Sequence, residues 1–101
     1  MMKTTIHEED GRLVALFDGR LDTVASEQTK QDLLPLKDTG GRDIVLDCAK
    51  LEYISSSGLR LFLAVLKDAK PKGVHVCVRN VSDHIREVFT MTGFLSLFEF
   101  V

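Results

Sequence analysis

The sequence predicts an α/β fold: a mixed sheet of about five strands, with helices mainly on one face. Two observations lead to this fold class. An Asp-Gly pair at residues 10–11 lies between two short apolar runs, which is typical of an antiparallel hairpin. Farther along, strand-like segments alternate with amphipathic segments, and this alternation indicates parallel strands joined by right-handed crossover helices. The expected order is therefore β-β-α-β-α-β-α-β.

The strands of the first half follow from short apolar runs. Residues 3–8 and 13–17 flank the Asp-Gly turn and form the hairpin. Residues 43–48 form the third strand, whose unbroken Ile-Val-Leu run favours a central position covered on both faces. We interpret Asp47 as a hydrogen-bonding residue at the end of this strand.

The first helix is predicted from about Val24 to Leu34. Asp22 or Thr23 is suited to cap its start, and Pro35 ends it because proline disfavours helical geometry in the preceding residue. Its apolar stripe consists of Val24, Ala25, Leu33 and Leu36. This stripe is thin, so we expect the helix to pack lightly.

The second half of the chain supplies two more helices and two strands. Apolar residues at intervals of three and four mark the second helix, namely Leu59, Phe62, Leu63, Leu66 and Ala69. Residues 71–73 (Pro-Lys-Gly) break it, and the alternating residues 74–79 follow as a strand. Ser82 caps the third helix and Gly93 ends it. Its buried stripe is Ile85, Val88, Phe89 and Thr92, and residues 95–100 form a short edge strand.

Length and composition bound the class of protein. A chain of 101 residues is the size of one compact unit, so we expect one domain over residues 1–101. With 45% hydrophobic and 28% charged residues, the sequence resembles ordinary globular proteins and not disordered ones. The net charge of -2 and the lack of a basic stripe argue against nucleic acid as the main partner. No apolar run approaches membrane-spanning length, so we expect a cytoplasmic protein without direct membrane insertion.

The residues that commonly bind metals are scattered. Cys48 and Cys77 lie in separate apolar runs without C-x-x-C spacing, which favours buried thiols in a reducing compartment. His7, His75 and His84 lie in three separate elements without ligand spacing. We therefore expect neither a metal site nor a cofactor.

The most informative run is residues 53–59, Tyr-Ile-Ser-Ser-Ser-Gly-Leu, between the third strand and the second helix. A helix start leaves backbone N–H groups free and presents the positive end of the helix dipole, so it accepts an anion or a phosphorylated side chain. Ser57 is then a candidate phosphoacceptor. Plain helix capping is the competing interpretation, and it explains one serine better than three.

A hydrolase is the other chemistry that a serine at a strand-to-helix turn suggests. The nucleophile elbow has the pattern G-x-S-x-G, whereas Ser55 stands in the place of the first glycine. A base and an oxyanion hole over a pocket also need more chain than is present. We therefore predict no catalytic residue.

Four segments carry a resemblance to a known family. They are residues 18–22 (Asp-Gly-Arg-Leu-Asp), 44–47 (Ile-Val-Leu-Asp), 53–60 (Tyr-Ile-Ser-Ser-Ser-Gly-Leu-Arg) and 88–94 (Val-Phe-Thr-Met-Thr-Gly-Phe). In this order and spacing the chain resembles a STAS domain, the family of bacterial anti-sigma factor antagonists and of the cytoplasmic tails of sulfate transporters. The resemblance covers nearly the whole chain and implies the β–α superhelical fold of that family.

The resemblance implies a switch operated by phosphorylation. The antagonists of this family carry a phosphorylated serine or threonine directly before the glycine, which is Ser57 here, and the kinase is an ATP-dependent anti-sigma factor. The unphosphorylated form binds that serine kinase and frees the sigma factor, while the phosphorylated form is released. Asp22 matches an acidic residue near the acceptor that helps to engage the kinase.

The remaining residues of the corner are assigned to the neighbourhood of the acceptor and the partner surface. Ser56 is expected to cap the helix or to assist Ser57, and Arg60 borders the partner surface. Gly58 lacks a Cβ, which would leave the backbone beside Ser57 open to a kinase or partner. Ser55 departs from the family, whose antagonists usually carry Asp there.

The departure at Ser55 supports a second hypothesis. In that alternative the chain is a constitutive STAS subunit of a lipid or anion transport complex, is not phosphorylated, and binds a transporter permease or ATPase. A third possibility is nucleotide or small-ligand binding at the helix start.

Overall fold

A computed structural model describes residues 2–101, which form a five-stranded sheet in the order β1-β2-β3-β4-β5. The first pair of strands is antiparallel and the following three pairs are parallel. The strands are β1 (Met2–Glu9), β2 (Arg12–Leu21), β3 (Ile44–Ile54), β4 (Val76–Arg79) and β5 (Glu99–Phe100). The α-helices are α1 (Thr23–Asp32), α2 (Ser56–Ala69) and α3 (Asp83–Met91). The predicted fold class and element order are confirmed, with β3 at the centre of the sheet.

The hairpin that opens the fold is built as the Asp-Gly pair predicts. Asp10 and Gly11 have φ angles of 51° and 78°, both in the left-handed region. Glu9 pairs with Arg12 across this two-residue turn. Two positive φ angles match the twist of the flanking strands, so the turn fixes the register of β1 on β2.

Strand β3 is longer than the predicted 43–48. Its second half pairs with β2 alone, through Lys50 with Asp18 and Ile54 with Leu21. Pairing with β4 is confined to residues 44–47 of β3. The prediction was too short because the exposed residues 49 and 50 interrupt the apolar run that marks the strand. As a result, β2 and β3 project together beyond β4 and end at the same corner.

Helix α1 departs from its predicted limits and stripe. It begins at Thr23 and ends at Asp32, and a 3₁₀ turn follows over Leu34–Lys37. Val24 is 84% exposed, so its place in the buried stripe was wrong. Within the helix the buried residues are Ser26 and Thr29, and the apolar contacts come later, from Leu33 and Leu36.

The main core lies between the helices and one face of the sheet. A row of aromatic rings runs through it: Phe17 of β2 lies 4.9 Å from Phe62 of α2, which lies 6.1 Å from Phe89 of α3. Phe89 continues the row to Phe98 at 5.6 Å. These rings are buried and connect β2 with α2 and α3. Helices α2 and α3 therefore pack on the same side of the sheet.

The opposite face of the sheet carries a network of charged side chains. Arg79 donates from Nη2 to Asp47 Oδ2 at 2.9 Å and to Glu9 Oε2 at 3.1 Å. Asp47 Oδ1 accepts from the Ala49 N–H at 2.9 Å and from Asn80 Nδ2 at 3.2 Å. Asp47 is thus a hydrogen-bonding residue as interpreted, but it lies inside β3 and not at the end of the strand, because β3 continues to Ile54.

The C-terminal third follows the prediction with shorter elements. Strand β4 begins at Val76 instead of residue 74, and a 3₁₀ turn at Leu95–Leu97 replaces most of the predicted last strand. The Ser82 side chain caps α3, and Gly93, with a φ of 78°, follows its end. Thr92 is exposed and does not belong to the buried stripe. Among the helices of residues 2–101, none has the length and apolar character that crossing a membrane requires.

Candidate functional site

The corner between β3 and α2 is held by Ser55. Its backbone is extended, and its Oγ accepts a hydrogen bond from the Gly58 N–H at 3.1 Å, which makes it the N-cap of α2. The Ser55 N–H donates to the Leu21 carbonyl at 2.9 Å and ties the corner to the end of β2. Ser55 is 8% exposed, so its hydroxyl is committed to the fold. The expectation that Ser56 caps the helix was wrong.

Gly58 has a packing role at the corner. It is buried, and a Cβ at this position would lie 2.8 Å from Leu21 Cγ and 2.9 Å from Ile54 Cγ1. At that distance any side chain at this position would force the buried Leu21 or Ile54 side chain to move. Gly58 is therefore buried and does not leave the backbone open to a partner as expected. Ser55, which was assigned to the neighbours of the acceptor and the partner surface, is buried as well.

Two of the three serines remain accessible. Ser56 is exposed and Ser57 is partly exposed, in the first turn of α2. Their backbone N–H groups belong to the set at a helix start that has no acceptor within the helix. The hydroxyl of Ser57 thus lies where donors and the positive end of the helix dipole favour negative charge.

Asp22 lies at the same end of the sheet as this serine corner. Its Oδ1 accepts a hydrogen bond from the Ala25 N–H at 2.8 Å and caps α1. Of the two residues predicted as the cap of this helix, Asp22 is confirmed and Thr23 is not. Asp22 follows Leu21, whose carbonyl receives the Ser55 N–H, so the starts of α1 and α2 are neighbours. The side chain is partly exposed. Topology therefore brings Asp22 and the serine corner to one surface.

An open groove of about 180 Å³ lies between α1 and the N-terminal part of α2. We call it the serine groove. Helix α2 contributes Ser57, Arg60 and Leu61, and helix α1 contributes Thr23, Ser26, Glu27 and Lys30. Ser57 and Arg60, on the α2 side of the groove, were predicted from the sequence, whereas the residues on the α1 side were not. Only the packing of α1 on α2 brings Lys30 and Glu27 beside Ser57, and spacing along the chain carries no sign of it.

An aromatic–cation pair lies next to the corner. Arg20 and Tyr53 are register partners on β2 and β3, one residue before Leu21 and Ile54. The Arg20 guanidinium lies 4.6 Å from the centre of the Tyr53 ring, a distance suited to a cation–π contact. This pair adds two side chains of types common at protein interfaces to the same end of the molecule.

The remaining candidate chemistry is that of metal ligands and of the two thiols. Over residues 2–101, no group of three His, Cys, Asp or Glu side chains comes close enough to hold a metal ion. Both cysteines are free thiols, and burial, together with the charge of Asp47, raises the pKa of Cys48 to about 12. Cys48 is thus a protonated core residue at neutral pH.

Comparison with known sequences identifies a family and two relatives. A sequence model of the STAS domain matches residues 3–101. BtrV of Bordetella bronchiseptica, whose name gives anti-sigma factor antagonist as a provisional description, is 39% identical over 97 residues, covering 96% of this chain and 84% of that protein. The anti-sigma-B factor antagonist of Staphylococcus aureus is 32% identical over 79 residues, covering 78% of this chain and 73% of that protein.

Comparison with solved structures identifies the same fold. The anti-sigma factor antagonist SpoIIAA of Bacillus, in its unphosphorylated form, superposes with a TM-score of 0.79 at 21% identity, over 98% of this chain and 88% of that one. Its phosphorylated form superposes with a TM-score of 0.72 at the same identity, over 98% and 91% of the two chains. At this level of identity the likeness concerns the fold.

Proposed function

Because the chain belongs to the STAS domain family, we propose that it is an anti-sigma factor antagonist controlled by phosphorylation of Ser57. It acts without catalysis, by binding an anti-sigma factor in its unphosphorylated state and leaving it once phosphorylated. The partner is an ATP-dependent serine kinase, and the exchange takes place in the cytoplasm, where sigma factors direct transcription. The names of both relatives support the antagonist role.

The observation that carries the assignment to Ser57 is the division of roles among the three serines. The Ser55 hydroxyl is buried and accepts the capping hydrogen bond, so a kinase has no access to it. Ser57 lines the serine groove together with Arg60, whereas Ser56 does not. The position directly before Gly58 is also the one that the family resemblance indicates.

The fold tolerates a phosphate at Ser57. Phosphorylation adds about -1.5 to -2 charges and three acceptor oxygens. The free N–H groups of the first turn stabilise such a charge by about 0.3–1 kcal/mol. Arg60 lies three residues farther along α2, on the same side of the helix, and Lys30 faces it from α1. The modified protein therefore keeps its structure.

A docked partner, in contrast, does not tolerate the phosphate. Its surface must lie against the serine groove and Asp22, where the added charge meets carboxylates of the interface. A like-charge contact at an interface costs on the order of several kcal/mol, and each step of about 1.4 kcal/mol weakens binding tenfold. One modification is thus sufficient to release the partner.

The serine at position 55 is compatible with this switch. The resemblance implies that antagonists of the family usually carry Asp there, and aspartate and serine are both strong N-caps. The exchange keeps the hydrogen bond to the Gly58 N–H and removes one negative charge beside Ser57. We infer that the corner is held in the same way, with a smaller repulsion of the phosphate.

The acceptor is tested with the purified chain, ATP and the anti-sigma factor kinase of the same genome. Intact-mass spectrometry should show one added phosphate on the wild type and on Ser56→Ala, and none on Ser57→Ala. Ser56→Ala is the matched control, because it removes a neighbouring hydroxyl that is more exposed. Phosphate that persists on Ser57→Ala, or that maps to Ser56, contradicts the assignment.

Binding to the same kinase tests the release step. Ser57→Asp should weaken affinity by about tenfold or more, while Ser57→Ala and Ser56→Asp remain near wild type. Equal affinities for all variants, together with co-purification of a transporter permease or ATPase, would instead establish the constitutive transport subunit.

A further inference from the structure

A second concavity continues along the same two helices. It has a volume of about 150 Å³ and lies between α2 and the end of α1 with the turn that follows it. We call it the α1–α2 pocket. Its apolar lining comes from Leu33, Leu34, Leu36, Leu61, Ala64 and Val65. Leu34 is 47% exposed, so part of this apolar lining is open to a partner.

The size of the pocket indicates what it can hold. Pockets for small-molecule ligands usually measure roughly 300–1,000 Å³. The α1–α2 pocket, at about 150 Å³, is well below that range and matches a single large apolar side chain. Protein interfaces are commonly anchored in this way, by one aliphatic or aromatic residue in a fitted pocket. A protein is therefore the occupant that the volume favours.

The charge at the rim indicates the chemistry of that protein. Lys30 and Lys37 border the pocket, and within residues 2–101 neither forms a salt bridge. Asp68, the acidic residue of the lining, already pairs with Lys72 at 3.2 Å. The rim is thus positive on a molecule whose net charge is -2, and it complements carboxylates on either side of an apolar anchor.

The pocket is continuous with the serine groove. Lys30 and Leu61 line both concavities. Ser57 and Ala64 lie seven residues apart on α2, or about 10 Å along the helix at 1.5 Å per residue. A typical interface covers roughly 800 Å² of each partner, so one docked protein spans both concavities.

We propose that the protein that docks at Ser57 also inserts one apolar side chain, flanked by carboxylates, into the α1–α2 pocket. This inference rests on the proposed function for the identity of the partner. In this arrangement the α1–α2 pocket holds the apolar residue that anchors the partner, and phosphorylation in the serine groove controls whether the partner stays bound. The lysines at the rim orient the partner, and the leucines and Ala64 hold its apolar residue.

Variants of the pocket test this role by titration calorimetry with the purified anti-sigma factor kinase of the same genome. Ala64→Glu places a carboxylate in the pocket at an exposed helix position where glutamate is well tolerated. It should raise Kd by about tenfold or more, as should the double variant Lys30→Glu and Lys37→Glu. Lys67→Glu is the matched control, since it reverses an exposed charge of α2 outside the pocket and should leave Kd unchanged.

Thermal melts first establish that all variants fold. Three results would then overturn the inference. Wild-type affinity of the pocket variants, with binding still weakened by Ser57→Asp, removes the anchor and leaves the proposed function intact. A wild type that binds no anti-sigma factor removes both. A wild-type chain that dimerises alone in sedimentation experiments, with Ala64→Glu restoring the monomer, shows that the occupant is a second copy.

Discussion

At residues 55–57, three consecutive serines occupy three environments. Ser55 is buried and caps α2, Ser56 is exposed, and Ser57 lines the serine groove. The turn from an extended cap into the first helical residues rotates successive side chains away from one another. A repeated residue type therefore supplies one structural hydroxyl and two accessible hydroxyls within three positions, and of those two Ser57 lines the serine groove.

The structural serine is tested by its effect on stability. Ser55→Ala removes the acceptor of the Gly58 N–H and should lower the free energy of unfolding by about 0.5–2 kcal/mol. Ser55→Asp keeps a capping oxygen and should remain close to wild type. Urea denaturation followed by circular dichroism measures both, with the exposed Ser56→Ala as control. An alanine variant as stable as wild type would show that the cap contributes little.

The sequence predicted that a serine caps α2 but not that the cap is Ser55. Serines 55, 56 and 57 are equally good capping residues, so only the exact first residue of the helix separates them, and helix ends are hard to place from sequence. Gly58 shows the same limit. The sequence shows a glycine there but not why one is needed. A glycine is needed because the side chains of Leu21 on β2 and Ile54 on β3 approach it closely, and that contact depends on the folded structure.

At the scale of the element, α1 shows how burial can depart from the apolar pattern. Its buried positions within the helix are Ser26 and Thr29, whereas Val24 points to solvent. The Ser26 hydroxyl donates to the Asp22 carbonyl at 2.8 Å, so this polar group is satisfied inside the helix itself. Ser26 also lines the serine groove, so a small polar side chain forms part of the wall between α1 and α2.

A pair of alanine substitutions tests this orientation of α1. Val24→Ala should change the free energy of unfolding by less than about 0.5 kcal/mol, because the side chain is 84% exposed. Leu33→Ala should cost about 2–5 kcal/mol, because that side chain is 6% exposed and its loss leaves a cavity. Chemical denaturation measures both. A large loss for Val24→Ala would restore the stripe expected from the sequence.

The second element that the sequence could not delimit is β3. Periodicity marks a strand by its apolar core, and the apolar run stops where residues 49 and 50 become exposed. The strand continues because β2 offers a parallel partner as far as Ile54. Helix α2 was easier to predict, since its buried face repeats at intervals of three and four, and its sequence therefore encodes both its type and its orientation.

At the scale of the whole molecule, the two faces of the sheet have different chemistry. The helix side is apolar and aromatic, whereas the other side is tied together by Arg79, Asp47 and Glu9, which come from β4, β3 and β1. These strands lie far apart in sequence. The order of the elements was predictable from local patterns, but this network was not, because it depends on which strands meet.

The ion network should make the stability of the fold depend on pH. Burial raises the pKa of Asp47, but hydrogen bonds from the Ala49 N–H, Arg79 and Asn80 outweigh it, so the pKa lies below its ordinary value. The hydrogen bond and charge of Arg79 also lower the pKa of Glu9. A carboxylate with a depressed pKa stabilises the folded state above its ordinary pKa and loses that contribution as the pH falls through the folded value.

The wild type should therefore lose stability as the pH is lowered below about 4, where unfolded carboxylates take up protons before Asp47 does. Asp47→Asn should be less stable at neutral pH by about 1–3 kcal/mol, because Arg79 loses a charged acceptor. It should also show a shallower decline with acid. Denaturation curves between neutral pH and pH 3 measure the slope, with Glu52→Gln, an exposed carboxylate on the same strand, as control. If Asp47→Asn declines with acid as steeply as the wild type, the charges of this face do not hold β1, β3 and β4 together.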